Sequence, residues 1–373
     1  MPERQNYISR AVIEKIQASA QQIDEMESFP HENFRLLAEQ GLFGLHISKK
    51  YGGSEQPFYT NAKVVEEVAN VCASTSVLLC TQALTTCLLE LGGNEDQKSN
   101  YLRALAEGKY PGGAFCVTEK QAGSDVSNIQ TQAVFNDDSY VLTGEKSFIT
   151  NAGEAGVYLV LARTGSHPTK GLSFFVVEAC APGLEFGEHV ETLGGVRGSS
   201  VGTVILNKVS VPKENMLGIE GSGFKLLMKT FNRSRTLVGA QGVGIAKGAF
   251  QIALNYLKER IQFGKPLSEQ PIIQCMLAEL GTKIITAELL VKEAAMHIDK
   301  ETSEIEKYAS MAKYYATDMA MQVTTDAVQL LGGYGFTKLY PLERMMRDAK
   351  VTQIYDGTNQ IQRIIIARQL LKE

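Results

Sequence analysis

Pro111-Gly112-Gly113-Ala114-Phe115-Cys116-Val117-Thr118-Glu119 is where the period of the chain changes, and its reading decides the fold. Before it, apolar residues recur at helical spacing; after it, they alternate or gather into short β-branched runs. One proline and two glycines interrupt a helix, and Ala114 to Thr118 is the first strand-like run. Others follow at Tyr140 to Leu142, Val157 to Ala162, Leu172 to Val177 and Val201 to Leu206, separated by Gly, Asn, Asp and Pro. This spacing predicts an antiparallel β domain or small barrel over 113–220.

Working outward, 1–112 reads as helical. Phe34, Leu37 and Ala38 form one stripe that Gly41 interrupts, Asn94 offers a cap, and Ser76 to Leu91 carries no charge except Glu90, as a helix buried on most of its surface would. Over 221–373 the helical period returns. The small residues Ala309, Ala312, Ala316 and Ala320 predict close helix packing, in a bundle or at a subunit interface. With no repeat, low-complexity tract or flexible linker, the three segments are expected to form one compact α+β multi-domain subunit.

Composition narrows the function. Among 373 residues, 44% are hydrophobic and 21% charged, and the formal net charge of -4 argues against a nucleic-acid binder. Six cysteines without a CxxC pair predict free, buried thiols in a reducing compartment. His31, His46, His167, His189 and His297 lack ligand spacing, so no metal is expected. The start Met1-Pro2-Glu3-Arg4 leads into amphipathic sequence, and no uninterrupted apolar run reaches membrane-spanning length. A cytoplasmic or matrix-type protein with no membrane partner is therefore expected, if the beginning is complete.

Two segments carry candidate chemistry. After Thr118-Glu119, the loop Gln121-Ala122-Gly123-Ser124-Asp125 presents backbone N–H groups and a hydroxyl, suited to a flat heterocycle or a phosphate, although a loop with a capping serine reads the same way. Phe148 and Thr150 alternate on one face of a later strand. Near the end stands Tyr355-Asp356-Gly357-Thr358, followed by Asn359 through Arg363. Asp-Gly favours turns and tolerates positive φ. Asp356 or Thr358 could cap the next helix, or Asp356 could be a general base.

Thr118-Glu119, Ala122-Gly123-Ser124-Asp125, Phe148-Ile149-Thr150-Asn151, Arg260 through Gly264, Gln329 through Gly333 and Tyr355 through Arg363 occur in that order with appropriate separations. Nearly end to end, the chain resembles an acyl-CoA dehydrogenase of the short- and medium-chain type. The resemblance implies an N-terminal helical domain, a middle β domain and a C-terminal four-helix bundle, in a homotetramer built as a dimer of dimers. It implies FAD, with Phe115, Val117, Thr118, Phe148 and Thr150 near the isoalloxazine and Gly123 and Ser124 close by. Arg260, Gln262 and Phe263, with Gln329, Gly332 and Gly333, match positions reaching the diphosphate or adenosine across the dimer; Thr358 and Gln360 match further FAD contacts. Ser124, Asn232 and Arg235 match the pantetheine and nucleotide neighbourhood of acyl-CoA, with Arg235 as a mere surface cation the alternative. Tyr355 and Gly357 would flank the thioester.

The implied reaction is α,β-dehydrogenation to the trans-2-enoyl-CoA. Asp356 takes the α-proton, its backbone N–H and a ribityl hydroxyl polarise the carbonyl, the β-hydride goes to flavin N5, and electrons pass to electron-transfer flavoprotein. Several positions depart from the family. The usual base at 356 is glutamate; aspartate is one methylene shorter, and a displacement of about 1 Å can cost roughly a hundredfold. Some members carry the glutamate on the helix around 232–239, where this chain has Ser234. Lys120 replaces proline, Pro271 a common glutamine and Phe148 a frequent tryptophan; the chain has no Trp. The shorter base suggests a substrate held closer to the turn, such as a branched or cyclic acyl group, or a base elsewhere, with Glu90 the candidate although it also reads as a helix-end carboxylate. The alternatives are a flavin oxidase or enoyl-CoA reductase on the same fold, and a silent helical scaffold.

Overall fold

A computed structural model describes residues 7–189 and 193–372. Four helices come first: α1 (Arg10–Met26), α2 (His31–Glu39), α3 (Phe58–Ala69) and α4 (Ala73–Gly92). Gly41, at φ +67°, follows α2 in the left-handed backbone that glycine adopts without penalty. Every residue of α4 from Ala73 to Leu89 is buried, as its uncharged sequence requires. Two short turns follow, α5 (Glu95–Gln97) and α6 (Arg103–Ala106). Asn94 and Gln97 close a reciprocal capping box, each side-chain oxygen accepting the other's backbone N–H at 2.9 Å.

The strands are β1 (Gly113–Cys116), β2 (Gln132–Asn136), β3 (Ser139–Thr150), β4 (Val157–Arg163), β5 (Leu172–Glu178), β6 (Leu184–His189), β7 (Val201–Pro212) and β8 (Met216–Leu217). Their order is β6-β7-β3-β2-β4-β5-β8, largely antiparallel, with β1 lying parallel to β4 so that Phe115 sits beside Leu159. Strands β4 and β5 are buried on both faces, which is why Val157 to Ala162 reads as a continuous apolar run rather than an alternation. One face packs on Leu88, Leu89, Leu102 and Leu105 of the helical segment.

The remaining elements are α7 (Gly223–Glu259), a hairpin of β9 (Ile261–Gln262) and β10 (Lys265–Pro266), α8 (Pro271–Asp299), α9 (Ile305–Leu331), α10 (Leu342–Thr352) and α11 (Asn359–Leu370). Helix α9 is central and packs on α7, α8, α10 and α11. The small-residue stripe sets its distance from α7: Ala309, Ala312, Ala316 and Ala320 are fully buried. Glycines answer them across the contact, since a Cβ added to Gly239 would lie 3.2 Å from Ala312 and one on Gly242 3.1 Å from the Ala316 carbonyl oxygen.

Helices α4 and α7 are long and apolar enough by length and composition to cross a membrane, but 83% and 72% of their apolar windows are buried inside the chain. Their apolar surface is used by the core. All six cysteines are free; Cys72, Cys80, Cys87 and Cys116 are buried, whereas Cys180 and Cys275 are exposed. Because Gly242 faces backbone, Gly242→Val should force α7 from α9 and destabilise the chain by about 1–3 kcal/mol. A melting temperature equal to that of the unsubstituted protein would show that the seam has slack.

Candidate active site

Tyr355, Asp356, Gly357 and Thr358 form the turn between α10 and α11. Asp356 has φ +54° and Gly357 φ +90°. A Cβ on Gly357 would come 2.8 Å from Gln362 Nε2, so both conformation and space call for glycine. Thr358 caps α11, its hydroxyl accepting the Ile361 N–H at 3.4 Å. The capping alternative thus holds for Thr358. Asp356 does something else.

Its carboxylate accepts a hydrogen bond from Ser234 Oγ of α7. One residue on, Arg235 is 2% exposed, so the surface-cation alternative is excluded. Its guanidinium lies 5.5 Å from the centre of the Phe231 ring, and Nε donates to the Asp356 carbonyl at 3.4 Å. From α9, the fully buried Lys313 donates through Nζ to the Gly357 carbonyl at 3.0 Å and to Asn359 Oδ1 at 2.8 Å. Burial raises the Asp356 pKa above the usual aspartate value, opposed by Ser234, Lys313 and Arg235. Burial also lowers Arg235 to about 10 and Lys313 to about 7. The Tyr355 and Asn359 amides donate to the Val351 and Gln353 carbonyls. Between them, the Asp356 amide donates to none among the described residues.

Tyr355 closes the other side. Its hydroxyl donates to Gln241 Oε1 of α7, and Gln241 Nε2 donates to Ser76 Oγ of α4 at 2.8 Å. Gln241 and Ser76 are fully buried, so the turn is tied to α4 and α7 by a polar chain inside the core. Burial raises the Tyr355 hydroxyl well above its ordinary range and keeps it a neutral donor.

At the end of β1, Ser147 N donates to the Thr118 carbonyl at 2.8 Å, bringing the two segments expected near the flavin side by side. The register of β3 on β7 slips between Lys146 and Ile149. Within that slip Phe148 takes φ +56° and is 65% exposed, unusual for a large apolar side chain. Val117 is buried and Phe115 and Thr150 partly accessible, while Gly123 and Ser124 are exposed. Beneath them Lys146, fully buried, pairs with Glu119 at 2.8 Å and donates to the Val117 carbonyl at 3.2 Å. Burial pushes Glu119 upward, but Lys146, Thr131 and the Gln130 N–H outweigh it and hold the carboxyl down at about 2.

Phe263 is 94% exposed at φ +53°. The Arg260 guanidinium lies 5.9 Å from the Tyr334 ring centre, which brings the Arg260–Phe263 and Gln329–Gly333 segments together at one surface. All six expected residues in these segments are exposed, as is Gln360, whereas Asn232 lies partly buried beside Arg235.

Three family models together match most of the chain: the N-terminal domain of acyl-CoA dehydrogenase over residues 4–109, its middle domain over 114–209 and its C-terminal domain over 221–371. The chain belongs to the acyl-CoA dehydrogenase family. It is 44% identical to cyclohexane-1-carbonyl-CoA dehydrogenase of Geobacter metallireducens, the match covering 98% of this chain and 96% of that protein. Butyryl-CoA dehydrogenase from Megasphaera elsdenii superposes with a TM-score of 0.90 at 37% identity, covering 97% of this chain and 99% of that one. A chain from a study of the electron transferring flavoprotein of Acidaminococcus fermentans superposes with a TM-score of 0.91 at 40% identity, covering 98% and 99%.

Acyl-CoA dehydrogenases are FAD-dependent, and the residues here fit that cofactor. An exposed aromatic on a strained bulge gives a ring face. The adjoining loop is open at Gly123, where nothing lies within 4 Å of an added Cβ.

The structure also gathers His46, Cys87 and Glu90, whose potential ligand atoms all lie within 4.8 Å. Sequence spacing does not reveal this cluster. Hydrogen bonding accounts for it: the Asn61 amide meets His46 Nδ1 at 2.5 Å, and Nε2 faces Thr86 Oγ1 at 3.2 Å and Glu90 at 3.4 Å. Burial, reinforced by Arg233, lowers His46 to about 4, and burial raises Glu90 to about 7 against Arg233 and Lys98. Glu90 thus faces His46 at the end of α4, with Arg233 of α7 acting on it.

Lys313, Gln241 and Ser76 were not singled out from the sequence. Lys313 left one signal, a charge on the small-residue face of α9. The buried Lys146–Glu119 pair yields a stability test. Lys146→Met should cost about 3–5 kcal/mol by stranding the Glu119 carboxylate, and Glu119→Leu added to it should recover part of the loss. The folded Glu119 pKa is depressed, so its contribution is present above its unfolded value, near pH 4.3, and lost as pH falls toward about 2. Denaturation midpoints of the two variants, compared at neutral and acidic pH, measure both effects.

Proposed function

We propose that this acyl-CoA dehydrogenase oxidises a compact acyl-CoA thioester to its trans-2-enoyl-CoA, with Asp356 as the α-proton base. Alicyclic acyl groups such as cyclohexane-1-carbonyl are the first choice. The observation that carries the reading is the Asp356 carboxylate held on a left-handed turn, with Ser234, Arg235 and Lys313 around it and its own amide undonated. That amide is positioned to receive the thioester carbonyl and stabilise the charge that develops as the α-proton leaves. Burial makes the carboxylate a stronger base than an exposed aspartate, while Ser234, Lys313 and Arg235 oppose its protonation. Arg235 steadies the turn through the Asp356 carbonyl. The neutral Tyr355 hydroxyl and Gln241 set a polar wall close behind the base, which suits a short or ring-shaped acyl group better than a long chain. FAD, when bound beside Phe148, Thr150 and Thr118, supplies the acceptor for the β-hydride.

The Geobacter relative's name supports the alicyclic choice, and the Megasphaera structure supports a short chain. Electrons are proposed to leave for electron-transfer flavoprotein, with the Acidaminococcus study as support. The exposed Ile261 and Phe263 of the hairpin and Ile272, Ile285 and Leu289 of α8 suit burial in a homotetramer, where Arg260, Gln262, Gln329, Gly332 and Gly333 would reach a neighbour's FAD.

The test is anaerobic flavin bleaching across a CoA-thioester panel, with oxygen consumption and electron-transfer-flavoprotein reduction measured in parallel. Asp356→Asn should slow bleaching by at least about a hundredfold, and Asp356→Glu should shift preference from cyclic toward straight acyl groups. Bleaching by a nitroalkane but by no thioester would replace this reading with an oxidase.

A further inference from the structure

Lys313 is fully buried on the face of α9 that otherwise carries Ala309, Ala312 and Ala316. A buried ammonium is expensive unless its surroundings compensate it, and an apolar side chain would fill the same seam without that cost. Its hydrogen-bond acceptors are neutral: the Gly357 carbonyl at 3.0 Å and Asn359 Oδ1 at 2.8 Å. Asn359 is fixed in turn, its Nδ2 donating to Thr317 Oγ1 at 2.8 Å and Asp318 Oδ1 at 2.7 Å. Both acceptors of Lys313 belong to the turn that carries Asp356. Among the described residues no carboxylate pairs directly with this charge, and Asp356 feels it.

We propose that Lys313 is the positioning residue of the catalytic turn: its two hydrogen bonds hold the Asp356-Gly357 backbone in its left-handed conformation, and its charge keeps the Asp356 carboxylate ionised. This rests on Asp356 being the base. The charged groups that act on Lys313 are Asp356 on the turn, Arg235 on α7 and Asp318 on α9, which pairs with Arg363 of α11 at 2.7 Å; Tyr355 and Cys80 of α4 stand against Asp356, and Glu306 of α9 acts on Arg235. Of these, Arg235 opposes protonation of Lys313, while Asp356 and Asp318 favour it. Lys313 and Arg235 both lower the Asp356 pKa against its burial. Removing the lysine charge therefore raises that pKa further, and the base loses its charge at a higher pH.

The experiment uses the FAD-loaded full chain, with flavin absorbance and melting temperature recorded for every variant. The rate of anaerobic flavin reduction at saturating acyl-CoA is followed against pH for Lys313→Met, Lys313→Gln and Lys313→Arg, with Asp356→Asn alongside. The two neutral variants should move the acid-limb midpoint up by about one unit, a roughly tenfold slower reduction on the acid side. Lys313→Arg should keep the midpoint even where the altered head group lowers the plateau. An unmoved midpoint in an FAD-loaded neutral variant would overturn the proposal, whatever its plateau rate. So would failure of both neutral variants to fold beside a normal Lys313→Arg, which would leave lysine a purely structural role. Wild-type reduction by Asp356→Asn would instead remove the base assignment itself.

Discussion

The left-handed turn at Asp356-Gly357 is the constraint on which the rest of the site depends. A non-glycine residue at φ +54° is costly in isolation, roughly 1–3 kcal/mol, and persists only where its surroundings fix it. Here they do so from several directions. Gln362 and Lys313 take the Gly357 carbonyl at 2.8 and 3.0 Å, Arg235 approaches the Asp356 carbonyl at 3.4 Å, and Ser234 binds the carboxylate. Those donors come from α11, α9 and α7. They can meet only because glycines on α7 face alanines on α9, so the seam of small residues and the strained turn are parts of one arrangement.

Charge follows from that geometry. Two buried cations, Arg235 and Lys313, stand near one partly buried carboxylate, Asp356. In a medium of low polarity an isolated carboxylate prefers to be protonated, and an isolated cation prefers to lose its proton. Each offsets part of the other's burial, with Asp318 and Glu306 adding distant negative charge. The surplus of positive charge around the turn suits a reaction that moves an electron pair toward a thioester carbonyl. Between the Thr118 and Phe148 segments the balance differs, because Lys146 meets the Glu119 carboxylate directly at 2.8 Å. That ion pair braces β1 against β3; Lys313 leaves its charge available to the site.

The order helical, β, helical was legible because the hydrophobic period changes twice, at Gly113 and near Gly221, and because α4 has so little charge before Glu90. The strand β3 was harder to read. Its twelve residues from Ser139 to Thr150 include a register slip, and a bulge breaks the alternation by which a strand is recognised. The turn at Asp356 was legible as a turn, and its motif as a family signature. Its supports were not, because Ser76, Gln241 and Lys313 are separated from it by tens to hundreds of residues and no local pattern links them. The His46 cluster was hidden for the same reason, since Cys87 and Glu90 stand forty residues and more from the histidine.

An aspartate at the base position poses a geometric problem that the surrounding residues help to define. The turn cannot slide toward the substrate to make up for the missing methylene, because its two carbonyls are held by Gln362, Lys313 and Arg235. The carboxylate cannot swing freely, because Ser234 binds it. On the proposed chemistry, the adjustment must then be made by the acyl group, whose α-carbon has to come nearer the turn. Tyr355, Gln241 and Ser76 limit how it does so, since their polar chain crosses from the turn to α4 and leaves an alkyl tail nothing apolar to replace those hydrogen bonds. On the same proposal, a long chain directed at that wall would break a buried hydrogen-bonded network, leaving donors and acceptors unpaired at about 1–3 kcal/mol each. A ring or a short chain can approach the base without doing so. On the proposed chemistry, the short base and the polar wall would select in the same direction, which makes the departure at position 356 part of the pocket's shape and not a weakened version of a glutamate site.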